Sequence, residues 1–237
     1  MDANESRYWD EPRDAGDFSK SDVLDPVTGF GGNGSGAKGC IADGPFGNYS
    51  NNIGPGYSTG QHCIYRFVND TCSIMSGQIY VDVCSKMETF AEFWPCIETA
   101  PHGGGHGGVG GKMWDGISSP GDPVFYLHHT WLDKLFWEWQ ARDLPARLHD
   151  ISGRNVPAEF VGLPSHDSAG LPLFYPNADQ FPPAETLRPP PDAPRPEGDP
   201  GNATTLAHVL NMFGVVPNAI IRDVMDIAGP LLCYEYV

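Results

Sequence analysis

The sequence is poor in basic residues, and that scarcity narrows the functions open to it. Lysine and arginine number 14 against 30 aspartates and glutamates, which gives a net charge of −16 over 237 residues. A chain this acidic repels nucleic acids and anionic membrane surfaces. No apolar run approaches the roughly 18 residues that a membrane-spanning helix needs. We therefore expect a soluble protein whose partners are neither nucleic acids nor membranes.

A visible signal peptide and a CxxC pair are also missing. The opening MDANESRYWD has neither the basic nor the apolar region of a signal peptide. Six irregularly spaced cysteines nevertheless favour disulfides over a zinc or redox motif: Cys40, Cys63, Cys72, Cys84, Cys96 and Cys233. Five N-x-[ST] sequons also favour secretion: Asn4, Asn33, Asn48, Asn69 and Asn202. We predict a secreted glycoprotein whose signal lies upstream; the alternative is a cytosolic protein with buried free thiols.

Hydrophobic spacing predicts three helices joined by long loops. Residues 1–62 are rich in Gly, Asp, Asn and Ser, which is typical of irregular loops. Apolar residues three and four apart predict an amphipathic helix over 78–94, ended by Pro95. A helix over 122–141, with Asp122 as N-cap and Pro123 at its first position, is apolar on most sides and should be central. A third helix is predicted over 204–214, and the proline-rich segment 182–200 should be extended at the surface.

Two pairs of histidines indicate a metal site. His102 and His106 lie four apart in PHGGGHGGVGG, where the glycines allow another element or a substrate to approach closely. In the 122–141 helix, Phe125, His129 and Asp133 are four apart and share one face. A carboxylate one turn from a histidine can fix the tautomer that coordinates a metal. Three neutral imidazoles suit copper or zinc. A glycine-rich disordered loop and a core histidine bonded to Asp133 remain the alternatives.

The joint pattern resembles the second copper-binding half of the tyrosinase, catechol oxidase and hemocyanin superfamily. The similarity extends over nearly the whole chain and is closest to short fungal tyrosinase-like enzymes. It is carried by the following stretches: YWDEPRDAGDFSKSDVLDPVTGFGG at 8–32, QHCIYRFVND at 61–70, HGGGH at 102–106, SPGDPVFYLHH at 119–129, Asp133, Trp139 and YEY at 234–236.

This resemblance implies a mainly α fold, part of a four-helix-bundle type-3 copper domain wrapped in long irregular loops. The second copper, CuB, would be bound by His102, His106 and His129, with Phe125 and Asp133 around it. Glu98 matches a catalytic glutamate that holds an active-site water. The implied reaction is oxidation of o-diphenols to o-quinones with O2, and Gly103, where many relatives with strong monophenolase activity have Asn, argues against hydroxylation of monophenols.

The sequence departs from the family in its first copper site, CuA. In the family those ligands precede the YWD segment, which begins here at residue 8, and the only histidine before Pro101 is His62. We therefore interpret residues 1–237 as the C-terminal portion of a tyrosinase copper-binding domain, with a CuB motif at 102–139, the proline-rich segment at 182–200 and the tyrosine motif at 234–236. On this interpretation the chain is the CuB half of a longer protein and has little activity alone; the alternative is a degenerate half that no longer uses oxygen.

Two other functions remain open: a mononuclear three-histidine metal protein, such as a zinc protein with Glu98 as general base, and a non-catalytic fragment. For the geometry, we expect His102, His106 and His129 to converge while His128 turns away. We also expect apolar faces of the 122–141 helix to be exposed.

Overall fold

A computed structural model of the chain describes residues 5–155, 164–188 and 202–236. Helices dominate it, which confirms the prediction of a mainly α fold. The α-helices are α1 Glu11–Asp14, α2 Asp70–Ser73, α3 Gln78–Ser85, α4 Phe90–Ile97, α5 Gly103–Val109 and α6 Val124–Ala141. One π-helical turn, Glu98–His102, joins α4 to α5. Short 3-10 helices occupy Phe18–Lys20, Asp22–Leu24, Ile74–Ser76, Gly111–Trp114, Ser119–Gly121, Ala146–Leu148, Ala178–Gln180, Ala184–Leu187 and Ile221–Val224.

The strands are short and form three two-stranded sheets. They are β1 Glu5–Ser6, β2 Ser50–Ile53, β3 Thr59–Cys63, β4 Val209–Leu210, β5 Ala219–Ile220 and β6 Glu235–Tyr236. β2 pairs with β3 and β4 with β5, both antiparallel, whereas β1 and β6 pair in parallel and bring the two ends of the described chain together.

The helix predicted over 78–94 is two helices, and Pro95 does not end the second. Residues 86–89 separate α3 from α4, which starts with a capping box between Thr89 and Glu92. Pro95 lies inside α4, and the disulfide between Cys84 and Cys96 ties the two helices together. A proline lacks the N–H that would bond to the preceding turn, but tertiary packing offsets that loss here. The chain therefore continues as a helix directly into the histidine segment.

The long helix α6 is central, as its apolar sequence predicts. Trp131, Leu135 and Trp139 are buried against Phe93 and Ile97 of α4, and the rings of Phe93 and Trp139 stack at 5.0 Å. The expectation of exposed apolar faces is wrong for most of this helix. Leu132 and Phe136 pack at the edge of the same cluster, and Tyr126 is the one large apolar side chain of α6 that is largely exposed, at 59%.

A buried ion pair fixes the start of α6. The Asp122 carboxylate accepts hydrogen bonds from Arg66 at 2.7 and 2.8 Å and from the backbone N–H of Val124 at 3.0 Å. Arg66 also donates to the carbonyl groups of Phe30 and Gly31. Both charged side chains are completely buried. Asp122 thus caps the helix as predicted, although the helix itself begins at Val124. Through Arg66, Asp122 also ties the loop that contains Phe30 and Gly31 to the start of α6.

The prediction of a helix over 204–214 is wrong. This segment contains strand β4, which pairs with β5 in a hairpin. Val209 and Leu210 pair with Ile220 and Ala219. Gly214 has a φ of +80°, a conformation that glycine adopts easily, and the Asn218 side chain accepts a hydrogen bond from the Met212 N–H. Local turn chemistry therefore overrides the helical spacing of the apolar residues.

Two disulfides are formed, Cys40–Cys63 and Cys84–Cys96, while Cys72 is buried and free and Cys233 is exposed and free. The expectation of at least partial cysteine pairing is confirmed. Most of the proline-rich segment, 189–200, and the sequon at Asn4 lie outside the described residues. In the described part of the chain, none of the helices combines the length and apolarity that crossing a bilayer requires.

Candidate metal centre

The first two histidines lie on the π turn and on α5. His102 ends the π turn and His106 lies one turn further along, so their ring centroids are 4.4 Å apart. Residues four apart on a helix share a face, and the proline at position 101 does not interrupt the path because the π turn widens the helix there. The sequence spacing therefore translates directly into a pair of neighbouring imidazoles.

The glycines between and after these histidines allow other elements to touch the α5 backbone. A Cβ atom at Gly104 would lie 2.5 Å from the Ser76 backbone nitrogen, and one at Gly105 would lie 2.2 Å from Cε1 of His128. At Gly108 it would lie 2.7 Å from side-chain atoms of Phe18 and Ser73. These distances are shorter than van der Waals contact. The glycine-rich segment is thus an ordered, closely packed helix, and the alternative of a disordered loop is wrong.

The other two histidines come from α6. His129 packs against Phe125, with ring centroids 3.9 Å apart, and its Nε2 lies 3.2 Å from Nε2 of His106. His128 is completely buried, and its ring centroid is 4.8 Å from that of His106 and 5.6 Å from that of His102. One ring nitrogen from each of the four histidines lies within 4.8 Å of the others. The expectation that His128 turns away is therefore wrong.

Two of the four rings have a hydrogen-bond partner on Nδ1, and a third has a carboxylate oxygen close to Nδ1. Glu98 Oε2 lies 3.1 Å from His102 Nδ1, the Met113 carbonyl contacts His106 Nδ1, and Glu11 Oε1 lies 2.5 Å from His128 Nδ1. An acceptor on Nδ1 favours the tautomer that keeps its proton there and leaves Nε2 free for a metal ion. This arrangement favours coordination through Nε2 at His106 and His128, and the carboxylate near His102 Nδ1 favours the same tautomer there.

Burial favours the uncharged form of three of the four histidines. Desolvation lowers the pKa values of His106 and His128 well below the ordinary value, and it lowers the pKa of His129 to about 3; neighbouring histidines add to each shift. Burial also raises the pKa of Glu11 well above its usual range, against a smaller opposing effect of its hydrogen bond from Ser76. Neutral imidazole is the form that binds metal, so His106, His128 and His129 need little deprotonation before coordination.

Of the two carboxylates predicted near the centre, Glu98 and Asp133, the structure places only Glu98 in contact with a histidine of the cluster. Glu98 lies beside the site, in contact with His102. Asp133 does not contact His129 as predicted; among the described residues, the hydrogen bonds to its carboxylate come from Tyr234 and Tyr236 of the tyrosine motif. The Asp133 carboxylate is thus bound by two tyrosines from the C-terminal part of the chain and not by His129. Glu11 has no local signal in the sequence, because 117 residues separate it from His128.

The centre has one accessible side. The His102 side chain is 23% exposed and that of Glu98 is 47% exposed, whereas those of His128 and Glu11 are at 0%. The donor set consists of imidazole nitrogens, which suits copper or zinc and disfavours magnesium or calcium. No other group of three or more potential ligands converges within the described ranges. The residues present therefore fit a copper or zinc ion that small molecules can reach from the side of His102.

Comparison with known proteins gives consistent matches. The family model for the common central domain of tyrosinase matches residues 5–142. The tyrosinase-like protein phomQ1 of Diaporthe leptostromiformis is 30% identical over 97% of this chain and 56% of its own length. Tyrosinase ustQ of Aspergillus flavus is 26% identical, also over 97% of this chain and 56% of its own. The chain thus spans about half the length of these curated relatives.

A solved structure also resembles the fold. A mutant polyphenol oxidase from Thermothelomyces thermophila aligns with a TM-score of 0.68 at 21% identity, over 97% of this chain and 65% of its own. At that identity the match supports the arrangement of helices and loops.

Proposed function

Because the chain belongs to the tyrosinase family, we propose that it is a copper-dependent oxidoreductase of the tyrosinase and catechol oxidase type. Its substrates would be small phenolic compounds and O2. The observation that supports this proposal most strongly is the cluster of histidines on two packed helices, in which two have Nδ1 hydrogen-bonded and a third has the Glu98 carboxylate 3.1 Å from Nδ1. We propose His102, His106 and His129 as ligands of the CuB copper.

The residues around the ligands have separate proposed roles. Phe125 packs on the His129 ring and limits its rotation. Glu98, on the accessible side and in contact with His102, is our candidate catalytic residue, placed to hold a water molecule or to accept a proton from a phenol. Gly103 offers no side chain next to the first ligand, and we propose that this favours o-diphenols over monophenols. Bound copper would supply the redox chemistry, in which a catechol loses two electrons and two protons to become a quinone.

The described residues contain one histidine cluster, and the remaining histidines, His62, His149, His166 and His208, are not part of it. We therefore propose that residues 1–237 carry the CuB site of the catalytic domain and bind one copper. A single copper exchanges one electron at a time, so two-electron oxidation of a catechol should be slow in this chain alone. A chain that also carries a first set of copper ligands should oxidise o-diphenols well.

The test combines copper binding with oxygen consumption. We expect the purified chain to bind about one copper, to consume oxygen slowly with a catechol and to give weak or no uptake with a monophenol. His129→Ala should lose most of the bound copper, because it removes a ligand. His149→Ala is the matched control, since His149 is an exposed histidine outside the cluster. Failure to bind copper, or equal copper binding by both variants, would contradict the proposed site.

A second candidate function is a mononuclear zinc protein. A cluster of neutral imidazoles with a carboxylate beside two of them also suits Zn²⁺, and Glu98 would then act as general base for hydrolysis. Metal analysis of protein expressed with both metals supplied separates the two candidates. A zinc-filled site that copper does not displace, with no oxygen uptake, would favour the zinc protein.

A further inference from the structure

A polar cavity of about 410 Å³ lies where α2 begins, and none of the four clustered histidines lines it. Its lining includes one aromatic ring and four side-chain amides: Phe67, Asn33, Asn69, Asn177 and Gln180. Gln180 Oε1 is a buried acceptor without a hydrogen bond in the described part of the chain. Asn33 and Asn69 each begin an N-x-[ST] sequon. Amides beside an aromatic ring suit a sugar, which has hydroxyl groups to bond and a C–H face to pack.

The Asn69 side chain is held in place by one atom and free at the other. Its Oδ1 accepts a hydrogen bond from the Cys72 N–H at 3.1 Å and so caps α2. Its Nδ2, the atom that carries an N-linked glycan, makes no hydrogen bond with the residues described. A glycan replaces one of the two Nδ2 hydrogens and leaves Oδ1 unchanged. The cap and a glycan are therefore compatible on the same side chain.

The rest of this sequon leaves the glycan position accessible. The Asp70 carboxylate accepts hydrogen bonds from the N–H and the hydroxyl of Ser19, at 2.8 and 2.7 Å, which holds it toward Ser19. Thr71 is exposed. The Asn69 N–H donates to the Gly108 carbonyl at 2.8 Å and ties the start of the sequon to α5. The folded protein therefore presents this sequon at its surface, with the asparagine backbone fixed.

Phe67 places an aromatic ring near Asn69. Side chains two residues apart in an extended segment lie on the same side of the chain. The Asn69 backbone is extended, with φ −130° and ψ 95°, and both side chains line the cavity. The Phe67 ring is held against the backbone at Gly39, where a Cβ would lie 2.6 Å from its Cζ. A sugar attached to Asn69 thus has a fixed apolar surface beside it on which its C–H face can be buried.

We propose that Asn69 is N-glycosylated and that the first sugar of the glycan packs on Phe67 in this cavity. The co-reactant is a lipid-diphosphate-linked oligosaccharide of the secretory pathway. Nδ2 bonds to the anomeric carbon of its N-acetylglucosamine, the bond from that carbon to the lipid diphosphate breaks, and the amide releases one proton. The inference rests on the secretory prediction and is independent of the metal centre. The packed sugar then stabilises the start of α2.

Thr71→Ala removes the sequon but keeps the Asn69 cap. The full chain is directed through the secretory pathway of a yeast that adds high-mannose glycans, and peptides from cells and medium are mapped by mass spectrometry. We expect a glycan on Asn69 of the wild type and none there in Thr71→Ala. Ser35→Ala, which removes the sequon of Asn33 at the same cavity, should keep the Asn69 glycan. A wild-type chain without a glycan on Asn69 would overturn the inference and leave the CuB proposal as it stands.

An endoglycosidase that leaves only the first N-acetylglucosamine tests the packing. We expect this form of the wild type to melt about 2–4 °C above Thr71→Ala, the shift that one modest contact gives a protein of this size. Phe67→Leu should reduce the difference by about half or more, in a double-mutant comparison with Thr71→Ala. An unchanged difference would contradict packing on Phe67. If Phe67→Leu does not fold, nuclear Overhauser contacts between the sugar and the Phe67 ring of the wild type decide, and their absence overturns the packing.

Discussion

At the residue scale, the missing side chain of Gly105 is as important as the histidines. A Cβ there would lie 2.2 Å from Cε1 of His128 and 2.8 Å from Oε2 of Glu11. Both groups are buried, so neither can move away without disturbing its neighbours. We predict that Gly105→Ala lowers the free energy of unfolding by about 1–3 kcal/mol, the usual cost of overpacking.

Gly103→Ala is the matched comparison on the same helix. A Cβ at Gly103 would have its nearest contact at 3.8 Å, which is ordinary packing distance. Alanine favours a helix over glycine by up to about 1 kcal/mol, so this variant should be as stable as the wild type or more so. Urea denaturation of the two metal-free variants measures the difference. Equal stabilities would show that α5 does not touch His128 as closely as described.

The histidine pair at 102 and 106 could be predicted from sequence because four-residue spacing on a helix is local information. The acceptors that orient the rings could not. Asp133 is one turn from His129, yet Tyr234 and Tyr236 bind its carboxylate. Glu11 reaches His128 across 117 residues of chain. Contacts between distant parts of the chain depend on the fold, and helical spacing carries no information about them.

At the scale of elements, α5 and α6 pack against each other through histidine rings, and burial favours the uncharged form of His106, His128 and His129. The pKa values of His106 and His128 are well below the ordinary histidine value, and that of His129 is about 3, because burial disfavours the cation. Below about pH 6.5 the unfolded chain takes up protons at these positions and the folded chain does not. The stability that the folded protein gains from burying these histidines uncharged is therefore lost as the pH falls from about 6.5 toward 3.

Glu11 has the opposite effect. Burial raises its pKa, so its contribution is present below about pH 4.5, where the unfolded chain also holds the proton, and is lost as the pH rises. The destabilising effect of three histidines with lowered pKa values should exceed the stabilising effect of one carboxyl group with a raised pKa. We therefore predict that the metal-free protein loses stability as the pH falls from 6.5 to 4.5. Urea midpoints at pH 7, 6 and 5 with a chelator present measure this. His129→Gln should flatten the profile, His166→Gln should not, and a wild-type profile that rises toward pH 5 would refute the prediction.

Elements whose tertiary contacts agree with local sequence were predictable, and the others were not. α6 combines a capping aspartate with an apolar surface that suits the centre of the core, and the structure has both. Residues 204–214 have helical spacing too, but short strands and a turn at Gly214 form there. Pro95 was expected to end a helix, yet α4 continues past it because the capping box and the packing of Phe93 favour the helix.

At the scale of the whole molecule, motifs carried more information than composition. Charge and length allow many soluble proteins, whereas the HxxxH pair followed by DPVFYLHH pointed to the tyrosinase family, to which the chain belongs. The same motifs did not reveal that His128 joins the cluster, because relatedness specifies the fold more closely than it specifies the direction of a single ring. The distances from the His128 ring to the rings of His106 and His102 depend on how α5 and α6 pack, and only the structure gives them.

The state of the six cysteines tests the secretory prediction for the molecule as a whole. Two pairs are bonded, Cys40–Cys63 and Cys84–Cys96, and both Cys72 and Cys233 are free. Secreted protein should therefore show two thiols when it is denatured without reductant and six after reduction. A cytosolic protein with reduced cysteines would show six in both conditions, because disulfides rarely persist in that compartment.

Reactivity in the native state gives a second, independent measurement. Cys233 is exposed, whereas burial raises the pKa of the Cys72 thiol to about 11, so little reactive thiolate forms there at neutral pH. We predict one fast thiol in the native protein, assigned to Cys233 because Cys233→Ser abolishes it, and a second that appears only on unfolding. Mass spectrometry of unreduced peptides should then identify the two disulfides by their partners. Six thiols before reduction would contradict both the pairing and the secretory prediction, because each requires the oxidised chain.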